Sequence, residues 1–218
     1  LRELVKEGRI PMRVLDDRVR DVLRVKFWLG LFDPKERIAE DPDATVLSDA
    51  HRAVALEAAR KSLVLVKNEG NVLPLASRVG KIAVIGPNAD SDSLTRKQYG
   101  PSKMPVTTVL AGLRQVFGAD RILTAKGCDV VDPGFPMTEV LPQPMSDAER
   151  KLMDEAVAMA RQADFVVAVL GDGTRTTGES KSRTSLELPG RQEALLEALS
   201  GTGKPVVLVL LNGRPMSI

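Results

Sequence analysis

Four short apolar runs, "KIAVIGP", "RILTAKG", "ADFVVAVLGD" and "KPVVLVLLNG", limit the possible folds more than any other feature of the sequence. Each is rich in Val, Ile or Leu and bounded by Gly, Asp or Pro, the pattern of a strand buried on both faces. Helix-period segments stand between them: "TTVLAGLRQVFG", "SDAERKLMDEAVAMARQA" and "PGRQEALLEALSGTG". In the second, Ser146 and Glu149 form a capping-box pair, and Leu152, Met153, Ala156, Met159 and Ala160 make an apolar stripe. Successive β-α-β units with right-handed crossovers predict an α/β fold, an open parallel sheet covered by helices. Such sheets bind ligands at the carboxyl ends of their strands. The segment "DVVDPGFPMTEVLPQPM", rich in proline and turn residues, is expected to be a surface excursion.

Ahead of this region the pattern differs. "PMRVLDDRVRDVLRVKFWLGLF" places Leu15, Val19, Val22, Leu23 and Leu29 at helical spacing, with Pro11 near its start and Gly30 near its end. Its Arg13, Arg18, Arg20 and Arg24 alternate with Asp16, Asp17 and Asp21, which predicts a solvated, salt-bridged helix surface rather than a nucleic-acid face. "DPKERIAEDPDATVLSD" carries two Asp-Pro pairs and few large apolar groups, so a connection ending in a domain boundary near residue 46 is expected.

Composition removes whole classes of chemistry. The 31 basic and 29 acidic residues are mixed along the 218-residue chain, leaving no electrostatic footprint for nucleic acid or an anionic membrane. No apolar stretch reaches the roughly 18 residues that span a bilayer. Cys128 is the single cysteine, so an internal disulfide is impossible and a cysteine-based metal site implausible. The single histidine, His51, lies in "SDAHRAVALEAARKS", where Ser48 reads as an N-cap and His51 as a first-turn residue of an exposed helix. No metal and no cofactor is expected, and acid and base work at neutral pH falls to carboxylates. The sequence begins without methionine and "LRELVKEGRIP" is no signal peptide, so the chain is expected to be a piece of a longer protein and its location stays open.

Three loops leave the carboxyl ends of predicted strands, and "GDGTRTTGESKSRTSLELPG", residues 171 to 190, draws attention by holding Glu179 among small polar residues. Gly171-x-Gly173 hints at a dinucleotide fingerprint, but the third glycine is missing and the loop is too long before its helix. It has no P-loop ending either. Glu179 then has two readings: a solvated residue pairing weakly with Arg183, or a general acid and base carried by a loop on a rigid scaffold.

The succession "VLDDRVRDVLRVKFWLGLFDP", "HRAVALEAARKSLVLVKNEGNVLPL", "KIAVIGPNAD", "QYGP", "GESKSRTSLELPGRQEALLEAL" and "GKPVVLVLLNGRPMSI" resembles glycoside hydrolase family 3, in particular its bacterial β-glucosidases. The resemblance implies a larger enzyme with a TIM-like barrel, a linker and an α/β sandwich domain. On this sequence it implies a barrel tail at residues 1–33, a linker at 34–46 and an incomplete sandwich domain at 47–218. The family's nucleophile is an aspartate in a "Ser-Asp-Trp"-like barrel motif that does not occur in this sequence. The family pattern Gly-Glu-x-x-x-Arg-x-x-Leu-x-Leu-Pro-x-x-Gln falls on Gly178, Glu179, Arg183, Leu186, Leu188, Pro189 and Gln192. It implies Glu179 as acid/base catalyst of a retaining hydrolase, with Asp172 and Glu187 as fallbacks, the latter more suited to the approach to a helix. Tyr99 resembles a position near the cleft and is either a sugar contact or structural; Arg183 is a candidate substrate contact better suited to anchoring the loop. The implied partners are a carbohydrate substrate and the missing barrel domain, with no nucleic acid and no membrane. A non-catalytic carbohydrate-binding or interaction module is the rival from another class, and 3% aromatic residues argue against it, because sugar-binding faces stack rings on pyranoses. β-Xylosidase and N-acetylglucosaminidase activities are the alternatives within the family.

Overall fold

A computed structural model describes residues 1–32, 46–75, 80–96, 100 and 105–218 of the chain, without the side chains of 94 and 95. The chain divides into two compact units, Leu1–Val66 and Lys67–Ile218. Residues 34–45, nearly all of the expected linker, lie outside the described residues.

The first unit is helical: α1 (Arg2–Lys6), α2 (Met12–Trp28) and α3 (Asp49–Ser62). Pro11 starts α2 as its N-cap, where a missing N–H costs nothing. The alternating charges pair along the helix, Arg20 with Asp17 at 2.9 Å and both Arg18 and Arg24 with Asp21, as a solvated surface requires. The apolar stripe forms as well, yet α2 has no buried residue among those described, and Val22 is 57% and Leu29 67% exposed. In α3 the Ser48 hydroxyl accepts from the His51 N–H, capping the helix and leaving the His51 side chain exposed.

The second unit holds a four-stranded, wholly parallel sheet. Its strands are β1 (Ile82–Ile85), β2 (Ile122–Ala125), β3 (Phe165–Gly171) and β4 (Val206–Leu211), in the order β2-β1-β3-β4. Helix α4 (Ser93–Arg96) follows β1, α5 (Val109–Phe117) leads to β2, α6 (Asp147–Gln162) to β3 and α7 (Gln192–Ser200) to β4. Strand periodicity divides the core into two layers. Ala83 and Ile85 of β1 and Val166, Ala168 and Leu170 of β3 face Met153, Ala156 and Ala160 of α6 and Leu195 and Leu199 of α7. The alternate residues Ile82, Val84, Phe165, Val167 and Val169 face Leu110 of α5. Only β1 and β3 are buried on both faces; β2 and β4, expected to be so, are half-buried because they form the edges of the described sheet.

The capping box that begins α6 forms as its sequence predicts. Glu149 N–H donates to Ser146 Oγ, and Glu149 Oε2 accepts from Ser146 N–H at 2.7 Å. Glu149 Oε1 also accepts from Arg191 Nε at 3.0 Å, and Arg191 Nη2 donates to the carbonyls of Gln143 and Pro144. One carboxylate therefore joins the starts of α6 and α7. Burial raises the Glu149 pKa, but the Ser146 and Arg191 hydrogen bonds prevail and hold it at about 2, below its ordinary 4.5. In the thiol of Cys128 burial, aided by the Asp129 charge, outweighs the lowering by Lys126 and pushes the pKa up to about 12, making this sulfur a packing atom rather than a nucleophile.

The depressed Glu149 value fixes a pH window. The unfolded state binds the proton first, so the Glu149 contribution is complete above pH 4.5 and is lost as pH falls through about 2. Glu149→Gln is expected to lower stability at neutral pH by about 1–2 kcal/mol and to flatten the acid limb of stability between those pH values. Urea unfolding at stepped pH measures both; an unchanged acid limb would contradict the role assigned to this carboxylate.

Candidate active-site loop

In the order β2-β1-β3-β4 the connections from β1 and β3 run to opposite sides, so their carboxyl ends flank a topological switch point. Two bonds bridge it: Asn88 N–H donates to Val169 O, and the buried Asn88 amide donates to Asp172 O at 3.0 Å. The loop 171–190 leaves β3 at this point. Gly171 has φ 126°, and a Cβ there would lie 2.2 Å from Leu211 O, so only glycine lets β3 close against β4 before the loop begins. That close approach accounts for the first glycine of the Gly-x-Gly pair.

Both feet of the loop are fixed by buried polar groups. The amide of Gln192, fully buried at the start of α7, accepts from Gly171 N–H at 2.7 Å and donates to the carbonyls of Gly171 and Val130, each at 2.8 Å. Asp172, also fully buried, accepts from Thr176 Oγ1 at 2.7 Å and from Gly213 N–H at 3.1 Å, with Arg214 Nε 3.9 Å away. Thr176 Oγ1 accepts in turn from Gly173 N–H. Asp172 is thus spent on holding backbone, and its carboxylate has no solvent face.

The middle of the loop is tied by a buried ion pair. Arg183 Nε donates to Glu139 Oε1 at 2.6 Å, with the two side chains 2% and 8% exposed, and Arg183 Nη2 donates to Glu187 O. Thr184 adds its N–H and hydroxyl to Glu139 Oε2. Burial raises the Glu139 pKa, but the hydrogen bonds from Arg183 and Thr184 outweigh it and leave a net lowering. The Arg175 guanidinium stands 5.4 Å over the Phe135 ring and donates to Phe135 O, tying the same proline-rich segment to the loop. That segment runs over the surface as expected, with Met137, Val140 and Leu141 exposed, while Val131 and Asp132 are buried and Glu139 supplies the loop's anion. Glu139 points inward from it because a buried guanidinium demands a matched carboxylate.

Between these anchors Glu179 is exposed. It stands between two residues of left-handed backbone, Gly178 at φ 118° and Ser180 at φ 60°. For Ser180 that conformation costs about 1 kcal/mol, so the turn carrying Glu179 is imposed by its anchors rather than by local preference. Glu187, the other fallback carboxylate, is exposed, and its N–H donates to Ser185 Oγ near the entry to α7. Tyr99 lies outside the described residues. Among the described residues no group of three or more His, Cys, Asp or Glu could hold a metal ion. Sequence reading passed over Glu139, Gln192 as a loop anchor, and Arg214. Glu139 is one acidic residue in a proline-rich stretch, and a pairing 44 residues apart has no local signature.

Residues 63–218 match the family model described as the Glycosyl hydrolase family 3 C-terminal domain. The chain is 40% identical over 228 residues to a periplasmic β-glucosidase of Salmonella typhimurium, covering 99% of this chain and 30% of that protein. It is 37% identical over 229 residues to a β-xylosidase of Formosa agariphila, covering 100% of this chain and 29% of that one. A solved β-glucosidase involved in saponin metabolism from intestinal bacteria superposes with a TM-score of 0.79 at 38% identity, covering 99% of this chain and 32% of the other. The β-glucosidase of Listeria innocua in complex with isofagomine superposes with a TM-score of 0.75 at 31% identity, over 28% of its length. The chain thus spans about a third or less of the length of these relatives.

The Glu139–Arg183 pair sets a test of the loop's anchoring. Glu139→Gln strands a buried guanidinium and is expected to cost about 3 kcal/mol, with faster tryptic cleavage after Lys181 or Arg183. The double variant Glu139→Met, Arg183→Leu should recover most of that loss. Chemical denaturation and limited proteolysis read both effects; a single variant within about 0.5 kcal/mol of the parent would contradict the anchoring role.

Proposed function

The chain belongs to glycoside hydrolase family 3, its residues 63–218 matching that family's C-terminal domain, and from this premise we propose that Glu179 is the acid/base catalyst of a retaining glycosidase acting on terminal β-D-glucosyl residues. In the first displacement protonated Glu179 gives its proton to the glycosidic oxygen while an aspartate of the barrel domain attacks the anomeric carbon. The glycosidic C–O bond breaks and a glycosyl ester forms. In the second, the Glu179 carboxylate takes a proton from water, whose oxygen attacks the same carbon and releases the aspartate. The two carboxyl groups must stand about 5–5.5 Å apart for this sequence.

What supports the reading is one combination: an exposed carboxylate at the turn of a loop whose feet and middle are held by buried, hydrogen-bonded groups. A fixed loop can present a proton donor in a set orientation, which a free surface glutamate cannot do. Arg183, whose side chain is almost wholly enclosed, serves this proposal as the loop's anchor. The exposed stripe of α2 fits residues 1–33 as the tail of the barrel domain, since that face needs an apolar partner. A β-xyloside is the second reading for the substrate, favoured by the similarity to the Formosa agariphila enzyme.

Kinetics of the whole protein on aryl β-glucosides test the assignment. Glu179→Ala is expected to lower kcat/KM about 10²- to 10⁴-fold for substrates with poor leaving groups and far less for activated ones. Azide should raise kcat of the variant on an activated substrate and yield β-glucosyl azide. The 218-residue chain alone should not turn over these substrates. Full activity of Glu179→Ala on a poor leaving group would refute the assignment.

A further inference from the structure

Arg214 follows β4 in the segment "LNGRP", whose backbone is braced by the Asn212 amide donating to Arg214 O. Its guanidinium reaches back over the loop, and a single nitrogen, Nη2, donates to two carbonyls, Thr176 O at 2.6 Å and Lys181 O at 3.2 Å. Glu179 lies between those two residues. Arg214 Nε is buried without a hydrogen-bond partner and faces Asp172 Oδ2 at 3.9 Å, and that same oxygen accepts from Gly213 N–H. Asp172 in turn holds Thr176 through its hydroxyl. The cation is thus balanced by one carboxylate and spends its strongest donors on closing the backbone around Glu179.

We propose that Arg214 is the positioning residue that sets the reach and orientation of Glu179, a role that rests on Glu179 being the acid/base group. The physical reason is entropic and geometric. Each loop residue released from one backbone conformation gains about 1–2 kcal/mol in conformational entropy, so a span such as 176–181 disperses unless its ends are pinned. A displacement of about 1 Å at a proton donor is enough to cost about 10²-fold in rate. Arginine suits the task because the two N–H groups of Nη2 point in directions fixed by the planar guanidinium, whereas the donors of a lysine ammonium rotate freely on a flexible stem. A second tie from the same segment, Ser217 N–H to Leu186 O at 2.9 Å, holds the far side of the loop and leaves Arg214 to govern the part that bears Glu179.

The test uses the whole protein and compares Arg214→Ala, Arg214→Lys and Glu179→Ala on aryl β-glucosides of graded leaving-group pKa. For Arg214→Ala, kcat/KM should fall about 10²-fold with poor leaving groups and less than about 3-fold with activated ones, Arg214→Lys lying between. Guanidinium ion should restore part of the Arg214→Ala activity. Amide exchange of residues 176–181 should quicken in both Arg214 variants while that of Val167 and Val169 in β3 stays unchanged, a readout that does not depend on turnover. An equal loss across all leaving groups, or unchanged exchange in 176–181, overturns the role of Arg214. If Glu179→Ala shows the graded profile and the Arg214 variants do not, the positioning role fails and the acid/base assignment stands. If Glu179→Ala itself shows no grading, the acid/base assignment fails and takes the positioning role with it. Should Arg214→Ala not fold, Arg214→Lys carries both measurements.

Discussion

The amide of Gln192 is the constraint on which the candidate site depends. It is fully buried, and it satisfies both the N–H and the C=O of Gly171 at the end of β3 as well as the carbonyl of Val130 beyond β2. Gln192 is also the first residue of α7, so one side chain fixes where the loop leaves the sheet and where it becomes helix. Leaving three backbone groups unpaired in the interior would cost about 1–3 kcal/mol each, more than one exposed loop returns. With both feet fixed, the twenty residues between them have few ways to run.

Upon that footing the loop is built from charges taken out of water. Asp172, Glu139 and the guanidinium of Arg183 are enclosed, and each is spent on backbone or on an opposite charge. Buried ion pairs are poor sources of net stability, because desolvation consumes most of their attraction, but separating the partners leaves a buried charge uncompensated, which ties Arg183 to Glu139. The same trade appears in backbone: Ser180 accepts a left-handed conformation beside Glu179. The backbone that carries the exposed Glu179 is thereby held on both sides by enclosed groups. The apolar layers beneath, with Leu195 and Leu199 fully buried, supply the stability that these polar arrangements consume.

Which parts of this were legible in the sequence follows from the range of the interactions. Strand and helix positions rest on periodicity within ten to twenty residues, so all four strands, the capped helix after Ser146 and the salt-bridged helix after Pro11 were readable. The depth of burial of β2 and β4 was not, because a short apolar run does not say whether its strand lies at the centre or the edge of the sheet. The loop 171–190 could be singled out by its place after a strand, and Glu179 by the family pattern. Its support could not: Glu139 meets Arg183 across 44 residues and Arg214 meets Thr176 across 38, with nothing local to mark either. The proline-rich excursion was readable as a surface segment, but not the inward turn of Glu139, since turn residues report backbone shape and not what the side chains must neutralise.

A crystal structure of the whole protein with a fluorosugar trapped on its nucleophile tests the central claim most directly. A loop held as described predicts a Glu179 carboxyl about 5–5.5 Å from the nucleophilic carboxylate, with the Gln192 and Arg214 bonds intact. A Glu179 more than about 10 Å from that carboxylate, or a loop that reaches the sugar only after those bonds break, would contradict it.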